Sequence, residues 1–318
     1  EQAYSADSRL TARTIRQPVE TVANLLSNVD ALTYQKGQAV LEMMESWLGP
    51  ENFRRGVLAY LNEHEWGNTV ESDLWRALSK ASGRDVGALG MTYFNQPGIP
   101  IVRGELSGDG GILLRQERFL NHGLQDSVAR FWQIPVSMMY PTPQGVMKHQ
   151  VLLTDAELTV KLPGLDAPPA WIQMNSGHDG YYRWRVEGGA MTRLAGDAVQ
   201  VLSPRERYGF LLNANALLLG GALHGDEYAK LLLGFGDDPD PSVVTAVADG
   251  VRAIRTFFVT EDLRDSFSEY VRRVLGGTLK RIGLEAKPGE APAISSLRPQ
   301  LFAILAEESR TIPASTFT

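Results

Sequence analysis

The stretch TYQKGQAVLEMMESWLGP, residues 33–50, indicates how the first part of the chain folds. Four of its apolar side chains follow the i, i+3, i+4, i+7 spacing of a helix that buries one face. They are Val40, Met43, Met44 and Trp47. Thr33 is a candidate N-cap, and Gly49-Pro50 is a typical end signal. The stretch therefore predicts a helix that packs against a core and stops before residue 50.

Helical patterns continue on both sides of this stretch, up to residue 97. Gly83 ends a further helical segment, and another runs from about Val86 to Phe94. Gln96-Pro97-Gly98 then breaks the pattern. Residues 1–97 are therefore predicted to form one helical domain.

Between residues 98 and 188 the apolar period changes from helical spacing to alternation. Leu158, Val160 and Leu162 alternate with polar residues, and Pro163-Gly164 closes that run. Similar short runs lie at residues 111–115, 133–140, 146–153, 171–175 and 181–186. Short strands with frequent turns predict a β-sandwich domain.

Helical patterns return after Ser203, and we expect residues 189–318 to form an incomplete, solenoid-like α-helical domain. Ser203-Pro204-Arg205-Glu206 has the pattern of a capping box with proline at the first helical position. Asp240-Pro241-Ser242 predicts the start of another helix, and later ones are expected up to Ile282 and from Leu297 to Glu308. The predicted fold class is multidomain α+β, with a helical domain, a sandwich and a second helical domain.

Composition excludes several classes of function. The net charge of −6 lacks the basic excess that nucleic-acid surfaces need, so no nucleic-acid partner is expected. The absence of cysteine excludes disulfide scaffolds and thiol catalysis. No apolar run reaches the roughly 18 residues of a membrane helix, so no membrane span is predicted.

The histidines give no metal-binding pattern. His64-Glu65-Trp66-Gly67-Asn68 resembles half of a zinc motif, but a zincin needs a second histidine where Asn68 stands. A helix C-terminus is the favoured interpretation of this segment. The other histidines lack a ligand partner at suitable spacing, so no metal ligand is predicted in this chain. They are His122, His149, His178 and His224.

Three segments together suggest a family. Leu32 to Leu41 is similar to the Tyr-x-Lys-Gly-x-x-Val-Leu pattern that follows the zinc helices of M1-family zinc aminopeptidases, which are gluzincins. Gln96-Pro97-Gly98-x-Pro100 resembles the bacterial version of the junction into the family's β-sandwich. Trp171-Ile172-x-x-Asn175, followed by Gly180-Tyr181-Tyr182-Arg183, resembles the end of that sandwich. Their order and spacing identify the chain as a C-terminal fragment of a bacterial-type M1 aminopeptidase.

This resemblance implies a fold and a reaction. Residues 1–97 would be the helical C-terminal part of a thermolysin-like catalytic domain, which precedes the sandwich and the helical domain. The parent would be a zinc hydrolase that removes N-terminal residues from peptides. Tyr34 matches the tyrosine whose phenol donates a hydrogen bond to the oxyanion, and it is the catalytic residue expected here. Lys36 could pair with a nearby carboxylate, and no chemical role is assigned to it. Arg13 and Arg16 could face the cleft, but solvent exposure is the favoured interpretation.

The resemblance also sets limits on this chain alone. The His-Glu-x-x-His motif precedes Tyr34 in the family and does not occur here, so the zinc ligands and the N-terminal catalytic half are expected outside this chain. The chain alone is therefore predicted to be inactive and to bind no zinc. Two alternatives stay open: a non-catalytic M1-like scaffold that binds another protein, and an unrelated binding module. Exported bacterial look-alikes favour a periplasmic or secreted location over the cytoplasm.

Overall fold

The computed structural model describes residues 1–17 and 32–308. They divide into two compact units, Glu1–Gly188 and Gly189–Thr318. The fold is a mixture of helices and small sheets, as predicted. The sandwich and the solenoid remain predictions. No helix in the described part of the chain combines the length and hydrophobicity needed to cross a membrane.

The helices of the first unit follow the sequence signals closely. A π-helix at Leu32–Lys36 leads directly into a long helix. In the described residues of this unit the α-helices are α1 (Gln2–Asp7), α2 (Gly37–Leu48), α3 (Pro50–Glu63), α4 (Glu71–Ser82) and α5 (Val86–Phe94). The predicted ends at Gly49-Pro50 and Gly83 are confirmed. The N-cap assignment of Thr33 is wrong, because this residue lies inside the π-helix.

Periodicity also predicted which side chains are buried. Val40, Met43, Met44 and Trp47 on α2 are all buried. Gly56 lets α3 approach α4 closely, since a Cβ built there would lie 2.8 Å from Leu78 Cδ2. Gly56 is the buried residue of α3. Met44 of α2 and Trp75 of α4 both lie close to Gly90 of α5, so these three helices share a core.

Six strands follow in the same unit. They are β1 (Ile99–Leu106), β2 (Gly111–Phe119), β3 (Ile134–Thr142), β4 (Gly145–Leu153), β5 (Glu157–Lys161) and β6 (Arg183–Val186). One sheet has the order β5-β2-β1-β6, with β6 parallel to β1, and β3 and β4 form an antiparallel pair. The strand predicted at residues 171–175 is wrong, because only Gln173 pairs, in an isolated bridge with Met139. Asn175 instead bonds both backbone groups of Gly180 through its side chain.

The second unit is helical in its described residues. Its α-helices are α6 (Ala190–Val201), α7 (Pro204–Leu219), α8 (Gly225–Leu233), α9 (Pro241–Phe258), α10 (Arg264–Ile282) and α11 (Pro292–Glu308). The capping box at Ser203 is confirmed, since its hydroxyl accepts from Glu206 N–H and the Glu206 carboxylate accepts from Ser203 N–H. The helix start at Asp240 is confirmed too, through its side-chain bond to Ser242 N–H. The sequence patterns missed α6 and α8.

Candidate functional site

Tyr34 lies in the middle of the π-helix and points away from the core. Its side chain is 65% exposed, whereas Leu32 and Lys36 on either side of it are buried. π-Helical turns are rare and occur frequently at functional sites. The local structure therefore presents one phenol outward from a turn that buries Leu32 and Lys36.

The two residues beside Tyr34 are each bonded to the N-terminal segment. Arg13 Nη2 donates to Thr33 Oγ1 at 3.1 Å. Gln35 Nε2 donates to Gln2 Oε1 at 2.8 Å, at the surface. These contacts tie both flanks of the tyrosine to residues 1–17.

Lys36 forms a fully buried ion pair at the end of the π-helix. Its Nζ lies 2.8 Å from Asp7 Oδ2, and neither side chain has any solvent exposure. Lys36 Nζ also donates to the Gly98 carbonyl at 3.3 Å. Asp7 Oδ1 accepts from Gly98 N–H at 2.8 Å, and Tyr181 Oη donates to Asp7 Oδ2 at 3.2 Å. We call Asp7, Lys36 and Gly98 the buried clamp.

Burial and charge act in opposite directions on the groups of the buried clamp. Burial lowers the pKa of the Lys36 ammonium, and the facing Asp7 carboxylate offsets part of that effect. The pKa of the Tyr181 phenol is raised well above its ordinary value, first by burial and then by the charge of Asp7. Tyr181 therefore stays a neutral hydrogen-bond donor to Asp7.

Gly98 has the geometry of a position that only glycine fills without strain. Its φ is +102°, and a Cβ built there would lie 2.5 Å from Arg118 Nε. Arg118 is itself fixed, because its guanidinium donates to Asp126 at 2.8 Å and to the Arg9 carbonyl at 2.9 Å. The end of the helical pattern at Gln96-Pro97-Gly98 is therefore the point, just before β1, where the chain contacts Asp7 and Lys36.

Aromatic packing holds α1 in the position from which Asp7 reaches Lys36. The rings of Tyr4 and Tyr181 lie 4.5 Å apart, and the Arg183 guanidinium lies 4.3 Å from the centroid of the Tyr4 ring. Tyr4 Oη donates to the Gly180 carbonyl at 2.9 Å. Arg183 also pairs with Glu1. The segment at residues 180–183 therefore anchors the short first helix.

The other sequence candidates lie elsewhere. Arg16 pairs with Glu71 at 3.2 Å, and its side chain is largely exposed. His64 is the C-cap of α3, as the favoured interpretation expected, and its Nε2 lies 3.9 Å from Asp73 Oδ2. In residues 1–17 and 32–308 no group of three or more His, Cys, Asp or Glu side chains is arranged to hold a metal ion.

Two family models match different parts of the chain. Residues 1–94 match the peptidase family M1 domain, and residues 171–314 match the ERAP1-like C-terminal domain. The chain is related to the M1 aminopeptidases. M1 aminopeptidases are zinc metallopeptidases. Tyr34 and the residues of the segment 1–17 that bond to its two neighbours lie in the part of the chain that matches the peptidase domain.

Three aminopeptidases are similar to this chain over nearly its whole length. Aminopeptidase 2 of Candida albicans is 31% identical over 95% of this chain and 32% of its own length. Puromycin-sensitive aminopeptidase of Caenorhabditis elegans is 26% identical over 91% of this chain and 31% of its own length. Aminopeptidase N of Lactobacillus helveticus is 27% identical over 94% and 36%. The chain thus spans about a third of the length of these relatives, which come from a fungus, an animal and a bacterium. The bacterial type stays a prediction.

Sequence reasoning found one of the three residues of the buried clamp. It suggested a carboxylate partner for Lys36, and the ion pair with Asp7 confirms that suggestion. It did not identify Asp7 or the role of Gly98. Asp7 lies far from Lys36 along the chain, and no local spacing links them. The signal that was present is the aspartate on an otherwise small and polar α1, whose sequence is QAYSAD.

Proposed function

We propose that this chain is part of an M1 zinc aminopeptidase, a hydrolase that removes N-terminal residues from peptides, and that Tyr34 supplies its oxyanion-stabilising hydrogen bond. The observation that carries the proposal is the placement of Tyr34. It is the tyrosine of a Tyr-x-Lys-Gly motif, it is 65% exposed, and it stands on a π-helix anchored by a buried ion pair. The match of residues 1–94 to the M1 domain supports this role.

The chemistry asked of Tyr34 suits a phenol. Attack on a peptide carbonyl places negative charge on its oxygen, and that charge develops fully only in the tetrahedral state. A neutral O–H group that donates to this oxygen stabilises the transition state more than the substrate, so it raises kcat. An anchored turn holds the donor in place before the reaction, which avoids reorganisation during the step.

The residues described here do not fit a zinc ion. The described part of the chain contains no cluster of three or more metal-ligating side chains. In the proposed enzyme the zinc ligands would lie in the N-terminal catalytic half, outside residues 1–318. The 318-residue chain alone would then be inactive.

The test of the proposal is a longer protein that carries a His-Glu-x-x-His motif upstream of this chain. We expect zinc-dependent hydrolysis of aminoacyl-anilides by that protein and none by the 318-residue chain. Tyr34→Phe should lower kcat by about 10²–10³-fold with little change in KM, because it removes one oxyanion donor. Tyr208→Phe is the matched control, since Tyr208 is also an exposed tyrosine but lies in the second unit.

Two outcomes would contradict the proposal in different ways. Unchanged turnover in Tyr34→Phe would remove the role of the tyrosine while leaving an aminopeptidase. A longer protein with no peptidase activity, or with a zinc motif that has lost its ligands, would favour the non-catalytic M1-like scaffold.

A further inference from the structure

We propose that the buried clamp, and above all the Asp7–Lys36 ion pair, is a positioning device that fixes the π-helix and thereby holds the Tyr34 phenol in its outward orientation. This inference rests on the proposed role of Tyr34. Neither Asp7 nor Lys36 would touch the substrate, because both side chains are fully buried. Their effect would pass through the backbone of Leu32–Lys36.

The first step of the argument is the cost of the ion pair. Removing two charges from water is expensive, and a well-packed apolar pair of similar volume is often as stabilising or more so. Stability alone therefore gives a poor reason for an aspartate and a lysine at these two core positions. Buried ion pairs can instead specify one arrangement of the chain over others.

The second step is the set of segments that the pair joins. Asp7 ends α1, Lys36 ends the π-helix and Gly98 precedes β1 by one residue. Lys36 Nζ donates to the Gly98 carbonyl, and Asp7 accepts from the Gly98 N–H. Both backbone groups of one glycine are thus used, so a slip of the π-helix would break contacts to two other segments at once.

The third step compares this anchor with its neighbours. The Arg13–Thr33 and Gln2–Gln35 bonds are partly or fully exposed to solvent. Such bonds contribute little net energy, because water replaces them when they break. Breaking the buried pair would leave a charged group without its partner inside the protein. Of these three contacts, the buried pair therefore disfavours other conformations of the turn most strongly.

The test uses a double variant that keeps the core neutral and filled. In Asp7→Asn/Lys36→Met the asparagine can still accept from Gly98 N–H, and methionine replaces the lysine stem without its charge. Hydrogen–deuterium exchange of peptides covering residues 32–40 should rise by about tenfold or more, because the turn opens locally more often. The matched control is Arg207→Met/Asp238→Asn, which makes the same kind of replacement at a buried pair in the second unit. It should leave exchange at residues 32–40 unchanged.

A kinetic readout then links the clamp to Tyr34. In the active longer protein the Asp7→Asn/Lys36→Met variant should lower kcat by about tenfold or more with little change in KM. The same double replacement in a Tyr34→Phe background should have no further effect on kcat, because the group that it positions is already gone.

The results separate this inference from the proposed function. A folded Asp7→Asn/Lys36→Met chain whose exchange at residues 32–40 equals that of the wild type would overturn the clamp, whatever Tyr34 does. Faster exchange with unchanged turnover in Tyr34→Phe would keep the clamp as an anchor of the turn and reject the catalytic role. Equal losses of kcat in the wild-type and Tyr34→Phe backgrounds would reject positioning through Tyr34.

Discussion

The two units of this chain each contain a buried ion pair, and the pairs are built differently. In the second unit Arg207 meets Asp238 with two nitrogen atoms, at 3.0 Å and 2.7 Å, and also donates to the Leu202 carbonyl. In the first unit Lys36 meets Asp7 as a single ammonium, two residues after an exposed tyrosine. A planar guanidinium fixes loops by its shape, whereas an ammonium acts as a point charge.

The surroundings of the two pairs suggest different roles. Asp238 also accepts from Asp240 N–H, and Asp240 caps α9, so the arginine pair holds the turns before α7 and before α9 together. The lysine pair instead joins α1, the π-helix and the start of β1 beneath Tyr34. Similar burial thus accompanies loop closure in one unit and, under our proposal, the support of a candidate catalytic side chain in the other.

The largest expected effect comes from breaking either pair on one side. Asp7→Asn leaves the Lys36 ammonium buried without a carboxylate, and Asp238→Asn does the same to Arg207. Each change should lower the free energy of unfolding at pH 7 by about 3–5 kcal/mol. Urea unfolding of the chain measures this loss. A loss below about 1 kcal/mol in Asp7→Asn would show that its pair does not bear on the stability of the first unit.

The pH dependence of these losses separates lysine from arginine. Without Asp7, burial should hold the pKa of folded Lys36 far below the value of about 10.4 in an unfolded chain. Between those two values the unfolded state binds more protons, so stability rises with pH. Burial also lowers the pKa of Lys36 in the wild type, where Asp7 offsets part of that effect. The loss in Asp7→Asn should therefore shrink as the pH rises above 7, until the pH reaches the wild-type pKa of Lys36. Arginine stays protonated, so Asp238→Asn should show no such recovery. If the loss of unfolding free energy in Asp7→Asn did not change with pH, the expected protonation behaviour of Lys36 would be contradicted.

A smaller effect tests the backbone that completes the buried clamp. Gly98→Ala should lower the free energy of unfolding by about 1–3 kcal/mol, because alanine is strained at φ +102° and its Cβ would meet Arg118. Gly276 in α10 is the control, since a Cβ there meets no described atom within 4 Å. Gly276→Ala should stabilise the second unit by about 0.5–1 kcal/mol. Thermal unfolding of both variants gives the comparison, and equal shifts of Tm would contradict it.

The smallest effect concerns an ion pair beside the buried clamp. The Arg118 guanidinium lowers the pKa of the Asp126 carboxyl to about 2. Because the unfolded value is about 3.9, the stability from this charge is present above pH 4 and is lost as the pH falls through about 2. Asp126→Asn should therefore lower the free energy of unfolding by about 1 kcal/mol at pH 7 and by less near pH 2. Unfolding at several acidic pH values checks this.

Local signals in the sequence predicted much of the helical structure. Gly49-Pro50, Gly83 and the capping box at Ser203 act within one turn of the chain, so their effects appear in the sequence itself. Helix α6 was missed because it begins after Gly189, in the left-handed region, without a Ser, Thr or Asp cap. The false strand at residues 171–175 has an apolar pattern, but Asn175 turns the chain back to Gly180.

In the candidate site, too, local sequence signals were recognised and tertiary contacts were not. Tyr34 was found through a local motif, and a carboxylate partner was suggested for Lys36. Asp7 and Gly98 were not identified because tertiary packing alone brings them to Lys36. The π-helix was also missed, since one extra residue in a turn leaves no clear mark in apolar spacing.

The most direct test of the central claim measures how strongly Tyr34 stabilises negative charge on the oxygen bound to the tetrahedral centre. In the active longer protein, a phosphinic pseudopeptide inhibitor places oxygens where the oxyanion would form. If Tyr34 donates to that oxygen, Tyr34→Phe should weaken the binding of this inhibitor by about 10²-fold, while the KM for a peptide substrate stays nearly the same. An inhibitor constant that does not change in Tyr34→Phe would contradict the assignment of Tyr34 as the oxyanion donor.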